Sequence, residues 1–271
     1  MNYRLVLHTV LVLSLTINLS CEKTEEQPEV LIYGHAGGGI SDGRFVYAPD
    51  TRESVGYALN VLDADAVEVD VRFTSDTQCV IYHDGFLDTH TDATGCPELF
   101  TLAELQSLQY RGNYKIPSLS EILEICMAAN KHVMLDVKAT NECLGQTVDF
   151  NAANIALNKC LIGLTESQKN MIVFNCRNYE LVEAISDSSI RKSYETSYIQ
   201  EAIDGFDGSV IDLLVFDLYH VSAAHAAQMK TEQIPFCLWG VKTRKDLKYA
   251  LDLQPDEIIS DNISLTMKMT K

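Results

Sequence analysis

Short apolar runs rich in β-branched residues alternate with helix-like segments from residue 30 onward, and this alternation limits the possible folds more than any other feature of the sequence. Alternating strands and helices favour a parallel sheet with helical crossovers. A largely apolar run such as Val133–Val137 suits a strand that is covered on both faces. The candidate strands are Val30–Tyr33, Ala66–Phe73, Cys79–Tyr82, His132–Val137, Met171–Asn175, Ile190–Tyr194, Ile211–Phe216, Pro235–Trp239 and Glu257–Ser260.

A parallel α/β barrel has eight strands, so these candidates include one error or one extra strand. A doubly wound open sheet is the alternative architecture. However, Gly37–Gly39 is not a GxGxxG turn in a βαβ setting, and no GxxxxGK[ST] motif occurs in the sequence. The chain has 271 residues, which suits one barrel domain preceded by a short leader. We therefore predict an α/β fold with a TIM-type (β/α)8 barrel over residues 30–271.

The first 29 residues differ in composition from the rest and indicate export. The apolar stretch Leu5–Leu19 is too short for a transmembrane helix but has the size of a signal-peptide core. It ends in Asn18–Cys21, which resembles a bacterial lipoprotein cleavage site. We predict a signal peptide over residues 1–20, acylation of Cys21 as the first mature residue, and a polar tether over residues 21–29. The protein would then be anchored on the periplasmic or cell-surface side of a membrane. The alternatives are an ordinary signal peptide and a membrane anchor that is never cleaved.

The overall charge restricts the possible partners. The formal net charge is −17, from 38 acidic and 21 basic residues, so the chain does not bind nucleic acid through a general basic surface. An anionic substrate would need a bound cation or a local cluster of bases to overcome the protein's own field. The cysteines after Cys21 contain no CxxC pair, and several lie in apolar runs typical of a core. Export would permit disulfides, but the sequence does not assign them.

Polar residues that end or interrupt the candidate strands carry the functional signal. They are His35, Glu68, Asp70, His83, Asp84, Asp136, Lys138 and Trp239. Because strand side chains alternate with a period of two, Glu68 and Asp70 should point to one side of their strand, as should Asp136 and Lys138. The carboxyl ends of parallel barrel strands form one face, where barrel enzymes carry out their chemistry. We therefore expect these side chains to converge at that face.

The residue types in this set indicate phosphodiester cleavage. Carboxylates from Glu68, Asp70 and Asp136 suit one hard divalent cation, Mg²⁺ or Ca²⁺, which would offset phosphoryl charge. Lys138 could add a second positive charge, and His35 and His83 could divide the proton transfers. Each residue alone is more often structural, since a pair of strand carboxylates is usually a salt-bridge partner and a lone histidine usually belongs to the core. The combination is harder to explain in that way.

Several motifs in a fixed order resemble the glycerophosphodiester phosphodiesterase family, which has a TIM barrel of the PLC-like phosphodiesterase superfamily. The resemblance covers residues 30–262. The matching segments are Gly34–Gly37 for His-Arg-Gly, Arg52–Val55 for Pro-Glu-Asn-Thr, Asp65–Val71 for the Glu-x-Asp strand, His83–Asp84, Thr101–Leu105, Ile116–Leu123, Asp136–Lys138 for Glu-x-Lys, Trp239, and Ile259–Asn262 for the closing Thr-Asp-Pro. The resemblance implies that Glu53 helps to bind the metal and that Lys138 and Trp239 contact substrate.

By this resemblance the chain is a metal-dependent hydrolase that releases an alcohol and glycerol phosphate, with His35 and His83 as acid and base. It departs from the family at Ala36, where the family has a phosphate-binding arginine, at Ser54 in place of asparagine, and at Asp136 in place of glutamate. Sphingomyelinase D-type phospholipases also lack that arginine and carry Asp-x-Lys, so an enzyme that acts on intact lipids is one alternative. A surface-tethered binding protein with a degraded site is the other.

Overall fold

The computed structural model describes residues 30–41 and 45–271, so the predicted signal peptide, Cys21 and the tether lie outside the described residues. The strands are β1 Leu31–Gly34, β2 Ala66–Phe73, β3 Cys79–Ile81, β4 His132–Val137, β5 Thr140–Asn141, β6 Gln146–Thr147, β7 Ile172–Cys176, β8 Arg191–Glu195, β9 Leu213–Asp217, β10 Phe236–Val241 and β11 Glu257–Ser260. The helices are α1 Arg52–Asn60, α2 Leu102–Ser107, α3 Leu119–Ala129, α4 Phe150–Leu161, α5 Glu166–Lys169, α6 Tyr179–Ala184, α7 Ile199–Asp204, α8 Ala223–Glu232, α9 Arg244–Asp252 and α10 Ile263–Thr270.

Eight parallel strands close into a barrel, which confirms the predicted (β/α)8 architecture. The strand order is β1, β11, β10, β9, β8, β7, β4 and β2, and β1 pairs in parallel with both β11 and β2. This closure excludes the doubly wound open sheet. Most of the barrel strands are followed by a helix that covers them, as expected of a parallel sheet buried on both faces.

The ninth strand candidate is an extra strand outside the barrel. β3 pairs antiparallel with the end of β2, with Phe73 opposite Cys79 and Val71 opposite Ile81. The connection between them is a tight turn over Thr74–Gln78, which is too short for the crossover that a parallel pair requires. β3 therefore returns the chain to the carboxyl end of the barrel, and it places His83 there from a hairpin rather than from a barrel strand.

Because side chains alternate along each strand, every second residue points into the barrel, both in its interior and at the open carboxyl end. Ala66, Met134 and Cys237 belong to the buried cluster inside the barrel, with Tyr33, Val173, Leu213, Val215 and Ile259. The residues two positions further along the same strands point to the same side. On β2, β4 and β10 those residues are Glu68, Asp136 and Trp239, which are described below as part of the site. A larger core lies between the strands and the helices.

The long segment between β3 and α3 packs on a third cluster of its own. Val80, Tyr82, Leu87, Leu105, Tyr110 and Ile116 are buried together there, with Ala48. A disulfide between Cys96 in this segment and Cys143 beside β5 ties it to the connection after β4. Cys79, Cys126, Cys176 and Cys237 are free and buried, in line with a core role. In the part of the chain that the structure describes, we find no helix with the length and apolar character needed to cross a bilayer.

Candidate active site

Three carboxylates meet at the carboxyl end of the barrel. Glu68 and Asp70 lie on the inward side of β2, and Asp136 lies opposite Asp70 in the parallel register of β2 with β4. One oxygen of each side chain lies within 4.8 Å of the others. Glu68 and Asp70 are almost completely buried. An all-oxygen set of this kind suits a hard divalent cation, because burying like charges together is costly without a counter-charge.

The carboxylates respond differently to this environment. Burial and the neighbouring charge of Asp70 raise the pKa of Glu68 to about 8. Burial alone would raise the pKa of Asp70, but the positive charges of Lys138 and His83 lower it well below its usual range. Glu68 is thus the member of the cluster whose negative charge is least compensated. A cation bound between Glu68 and the aspartates would supply the missing charge.

Lys138 bridges the two aspartates. Its Nζ atom lies 2.5 Å from Asp70 Oδ1 and 2.6 Å from Asp136 Oδ2. Burial would lower the pKa of this lysine, but the charges of the two aspartates raise it well above its usual value. Lys138 therefore carries a fixed positive charge at the edge of the carboxylate cluster.

His35 follows β1 and is bonded to a carboxylate that the sequence analysis did not assign a role. Its Nδ1 atom lies 2.5 Å from Asp261 Oδ1, and its Nε2 atom lies 3.8 Å from Glu68 Oε2. Burial alone would lower the pKa of His35, but the hydrogen bond with Asp261 and the charge of Glu68 raise it to about 9. In this arrangement His35 holds its proton at neutral pH. Asp261 directly follows β11, so the strand-end criterion that selected His35 would also have selected it.

His83 lies after β3 and has its own carboxylate partner. Its Nδ1 atom lies 2.7 Å from Asp84 Oδ1, and the other oxygen of Asp84 lies 3.1 Å from His90 Nε2. With Nδ1 engaged, Nε2 is the ring nitrogen left to act on a substrate. The imidazole is 61% exposed, in contrast to that of His35, which is 21% exposed.

The structure does not bring Glu53 into this cluster. Thr51 is the N-cap of α1 and accepts a hydrogen bond from Ser54, so Glu53 lies in the first helical turn and is exposed. It lines a separate surface depression with Gln106 and Lys115. The assignment of Glu53 as a fourth metal ligand is therefore corrected.

Asp50, just before that helix, takes the place expected of Glu53. It is buried, and its Oδ1 accepts a hydrogen bond from the main-chain N–H of Asp70 at 3.1 Å. Burial and the charges of Asp70 and Glu68 raise its pKa well above the usual value, so its protonated carboxyl can donate a hydrogen bond to the Asp70 carboxylate.

Ala36, which stands where the family has an arginine, contributes to the site through its main chain. Its φ of 48° lies in the left-handed region, and its N–H donates to Glu68 Oε2 at 2.9 Å. The side chain is buried, so this position contributes a main-chain donor to the site and no cation.

A cavity of about 70 Å³ connects these groups, and it is lined by His35, Glu68, Asp70, His83, Asp136, Lys138, Asn175, Glu195, Trp239 and Ile259. The indole N–H of Trp239 is buried, and within the described chain it has no hydrogen-bond partner. The sequence analysis missed Asn175 and Glu195. Asn175 is the last residue but one of β7, and Glu195 is the last residue of β8. The predicted strand Ile190–Tyr194 stopped one residue before Glu195. An adjoining cleft of about 460 Å³ shares Asp136 and Lys138 and adds Arg177, which pairs with Glu195.

Comparison with known proteins shows which family this chain resembles. The profile of the glycerophosphoryl diester phosphodiesterase family matches residues 51–265. Human glycerophosphodiester phosphodiesterase 1 is 34% identical over 84 residues, which are 28% of this chain and 25% of the human protein. The glycerophosphodiester phosphodiesterase of Caldanaerobacter subterraneus is 31% identical over 86 residues, or 29% of this chain and 35% of that protein. The matched segments thus span only a quarter to about a third of these relatives.

Solved structures share the fold over nearly the whole described barrel. An Oleispira antarctica phosphodiesterase in complex with the product sn-glycerol-3-phosphate superposes with a TM-score of 0.72 at 20% identity. The superposition covers 88% of this chain and 95% of that one. At this identity the likeness is one of fold.

Proposed function

Since this chain belongs to the glycerophosphoryl diester phosphodiesterase family, we propose that it hydrolyses glycerophosphodiesters to an alcohol and glycerol phosphate. The observation that carries the proposal is the meeting of two carboxylate-bonded histidines with a buried carboxylate cluster at the mouth of the barrel. The product bound in the Oleispira antarctica relative supports a glycerol phosphate moiety as the group recognised.

Glu68, Asp70 and Asp136 would hold one divalent cation, Mg²⁺ or Ca²⁺, since their oxygens fit such an ion. When bound, the cation would offset the charge that develops on the phosphoryl oxygens. Lys138 would add a fixed positive charge at the same edge and would limit how far Asp70 and Asp136 can move.

The two histidines would divide the proton transfers. His35 is held protonated by Asp261 and Glu68, so it would donate a proton to the leaving oxygen. His83 has Nδ1 on Asp84 and a free Nε2, so it would accept a proton from the attacking hydroxyl. Trp239 lines the cavity, so its indole ring would contact the bound substrate.

The test is product analysis with Mg²⁺ or Ca²⁺ on deacylated glycerophosphodiesters and on intact phospholipids and sphingolipids. We expect glycerol phosphate from the deacylated diesters. Preferential release of head groups from intact lipids would favour a phospholipase D-like enzyme, and binding without turnover would favour a degraded binding protein.

The pairing of His35 with Asp261 can be tested without turnover. In Asp261→Asn, loss of the hydrogen bond and of one negative charge should lower the pKa of His35 from about 9 toward the ordinary range. NMR titration of the ring protons in metal-free protein measures this shift. An unchanged His35 pKa in the variant would contradict the pairing, and Asp217→Asn, at the end of β9, is a control for loss of another strand-end carboxylate.

We also propose that the protein is a lipoprotein anchored through Cys21, a residue that lies outside the described part of the chain. Cys21→Ala should abolish acylation, so the protein should remain unprocessed or leave the membrane fraction. Mass spectrometry of the mature N-terminus measures this directly. A mature N-terminus several residues beyond Cys21 would rule out lipidation at this site.

A further inference from the structure

The position of His83 is not fixed by packing around its ring. The imidazole is 61% exposed, so its location depends on its bond with Asp84 and on its own main chain. That main chain lies beyond the ladder of β3, whose last bond runs from Tyr82 N–H to the Asp70 carbonyl. Something outside the hairpin ladder must therefore hold the peptide at His83.

Arg72 makes that contact. Its Nε and Nη2 atoms donate to the His83 carbonyl at 3.2 and 3.1 Å. Between Tyr82 and Leu87, the main-chain hydrogen bonds found in the described chain are these two and one from the Tyr82 hydroxyl to the Phe86 carbonyl at 3.1 Å. Arg72 lies on the same side of β2 as Glu68 and Asp70, so one strand carries both the carboxylates and this anchor.

The guanidinium of Arg72 is itself held by two carboxylates. It is buried, and Nη1 lies 2.8 Å from Glu98 Oε1 and 3.0 Å from Glu142 Oε2. Nη1 also donates to the Thr140 carbonyl, and Nη2 donates to Glu142 Oε1 at 3.2 Å. A planar, fully bonded guanidinium is directional, so its orientation determines where the His83 carbonyl can lie.

The disulfide fastens the two carboxylate-bearing segments together. Cys96 is two residues before Glu98, and Cys143 directly follows Glu142. Glu142 also packs against Gly85, where an added Cβ would lie 2.5 Å from its carboxyl carbon. The Cys96–Cys143 disulfide therefore closes a ring of contacts that runs from Glu98 through Arg72 to Glu142. His83 is attached to this ring through its carbonyl, which Arg72 bonds.

We propose that Arg72 is the positioning residue for His83, and that Glu98, Glu142 and the Cys96–Cys143 disulfide hold it in its working orientation. This inference rests on the proposed function, because it takes His83 to be a proton-transfer group. In the described chain, Arg72 donates hydrogen bonds to the His83 carbonyl and to none of the three cluster carboxylates. It also lines the adjoining cleft of about 460 Å³, beside Asp136 and Lys138.

The test is a double-mutant cycle between Arg72→Lys and His83→Ala, assayed on a glycerophosphodiester. Lysine keeps the charge but cannot reproduce the planar fork. We expect Arg72→Lys to lower kcat by about 10²-fold, as displacement of a catalytic group can do, with KM unchanged. In the His83→Ala background the same change should lower kcat no further, since residues that act through one another are not additive. Arg191→Lys, in a comparable pair with Glu257 at the other end of the barrel, should leave kcat unchanged.

The disulfide gives a second arm that does not depend on Arg72→Lys folding. Cys143 is exposed, so a thiol reductant can reach the bond. Reduction should lower kcat in the wild type and have no effect in His83→Ala, with folding monitored by circular dichroism. Glu142→Gln should behave in the same way, because it weakens the hold on Arg72.

The outcomes separate the two proposals. The positioning role would be overturned if Arg72→Lys or reduction lowered kcat equally in the wild type and in His83→Ala. It would also be overturned if neither change lowered kcat in the wild type. In both cases the two-histidine mechanism would stand. Near-normal kcat for His83→Ala alone would overturn the mechanism, and the positioning role with it.

Discussion

Replacing His35 or His83 by alanine is expected to lower kcat on a glycerophosphodiester by about 10²- to 10⁴-fold in each case. The reason is geometric: one proton must leave the attacking oxygen while another reaches the leaving oxygen, and a single imidazole cannot serve both sides. The measurement is steady-state turnover with saturating cation. His220→Ala, an exposed histidine after β9, serves as the control and should keep the wild-type rate.

The two variants should differ on an activated substrate. A nitrophenyl diester has a leaving group that needs little protonation, so it should partly rescue His35→Ala and leave His83→Ala nearly inactive. The wild-type pH–rate profile should be bell-shaped, and its alkaline limb should disappear in His35→Ala because that limb reports loss of the His35 proton. Equal rescue of both variants would contradict the division of roles, and wild-type rates in both would contradict the mechanism.

Asp70→Asn is expected to abolish turnover and to weaken cation binding, because it removes the carboxylate that joins Glu68 to Asp136 in the cluster. Isothermal titration with Mg²⁺ and Ca²⁺ and an activity assay in excess chelator measure the two effects separately. The barrel should survive, as judged by circular dichroism, because Lys138 retains Asp136 as a partner. Asp217→Asn alters another strand-end carboxylate outside the cluster and should bind cation normally. Full wild-type activity in excess chelator would show that the site works without a metal.

The barrel was predictable because its signal is repeated and local. Each strand is a short apolar run, and side-chain alternation follows from strand geometry alone. The amino-acid sequence was therefore enough to place Glu68 with Asp70, and Asp136 with Lys138, on shared sides of their strands. The hairpin that holds β3 was open to prediction as well, since the five residues between Phe73 and Cys79 are too few for a parallel crossover.

The remaining site residues could not be predicted from the alternation of strand side chains. Glu53 was assigned from the resemblance of Arg52–Val55 to the family's Pro-Glu-Asn-Thr element, and Asp50 was not considered. Thr51 is a good helix N-cap, and a residue just before a cap can turn back toward the sheet. Glu195 was missed because strand ends are uncertain by a residue or two. The Arg72 network and the disulfide join segments far apart in the chain, and no local pattern specifies which of them meet.

The separate cluster under the segment between β3 and α3 has a consequence for how this protein can change. Val80, Leu87, Leu105 and Ile116 pack among themselves, apart from the residues that fill the barrel. Substitutions in that segment can therefore change the surroundings of His83, whose partner Asp84 is also bonded to His90, without making a void inside the barrel. The environment of this histidine and the packing of the barrel interior depend on different residues, so one can change while the other is kept.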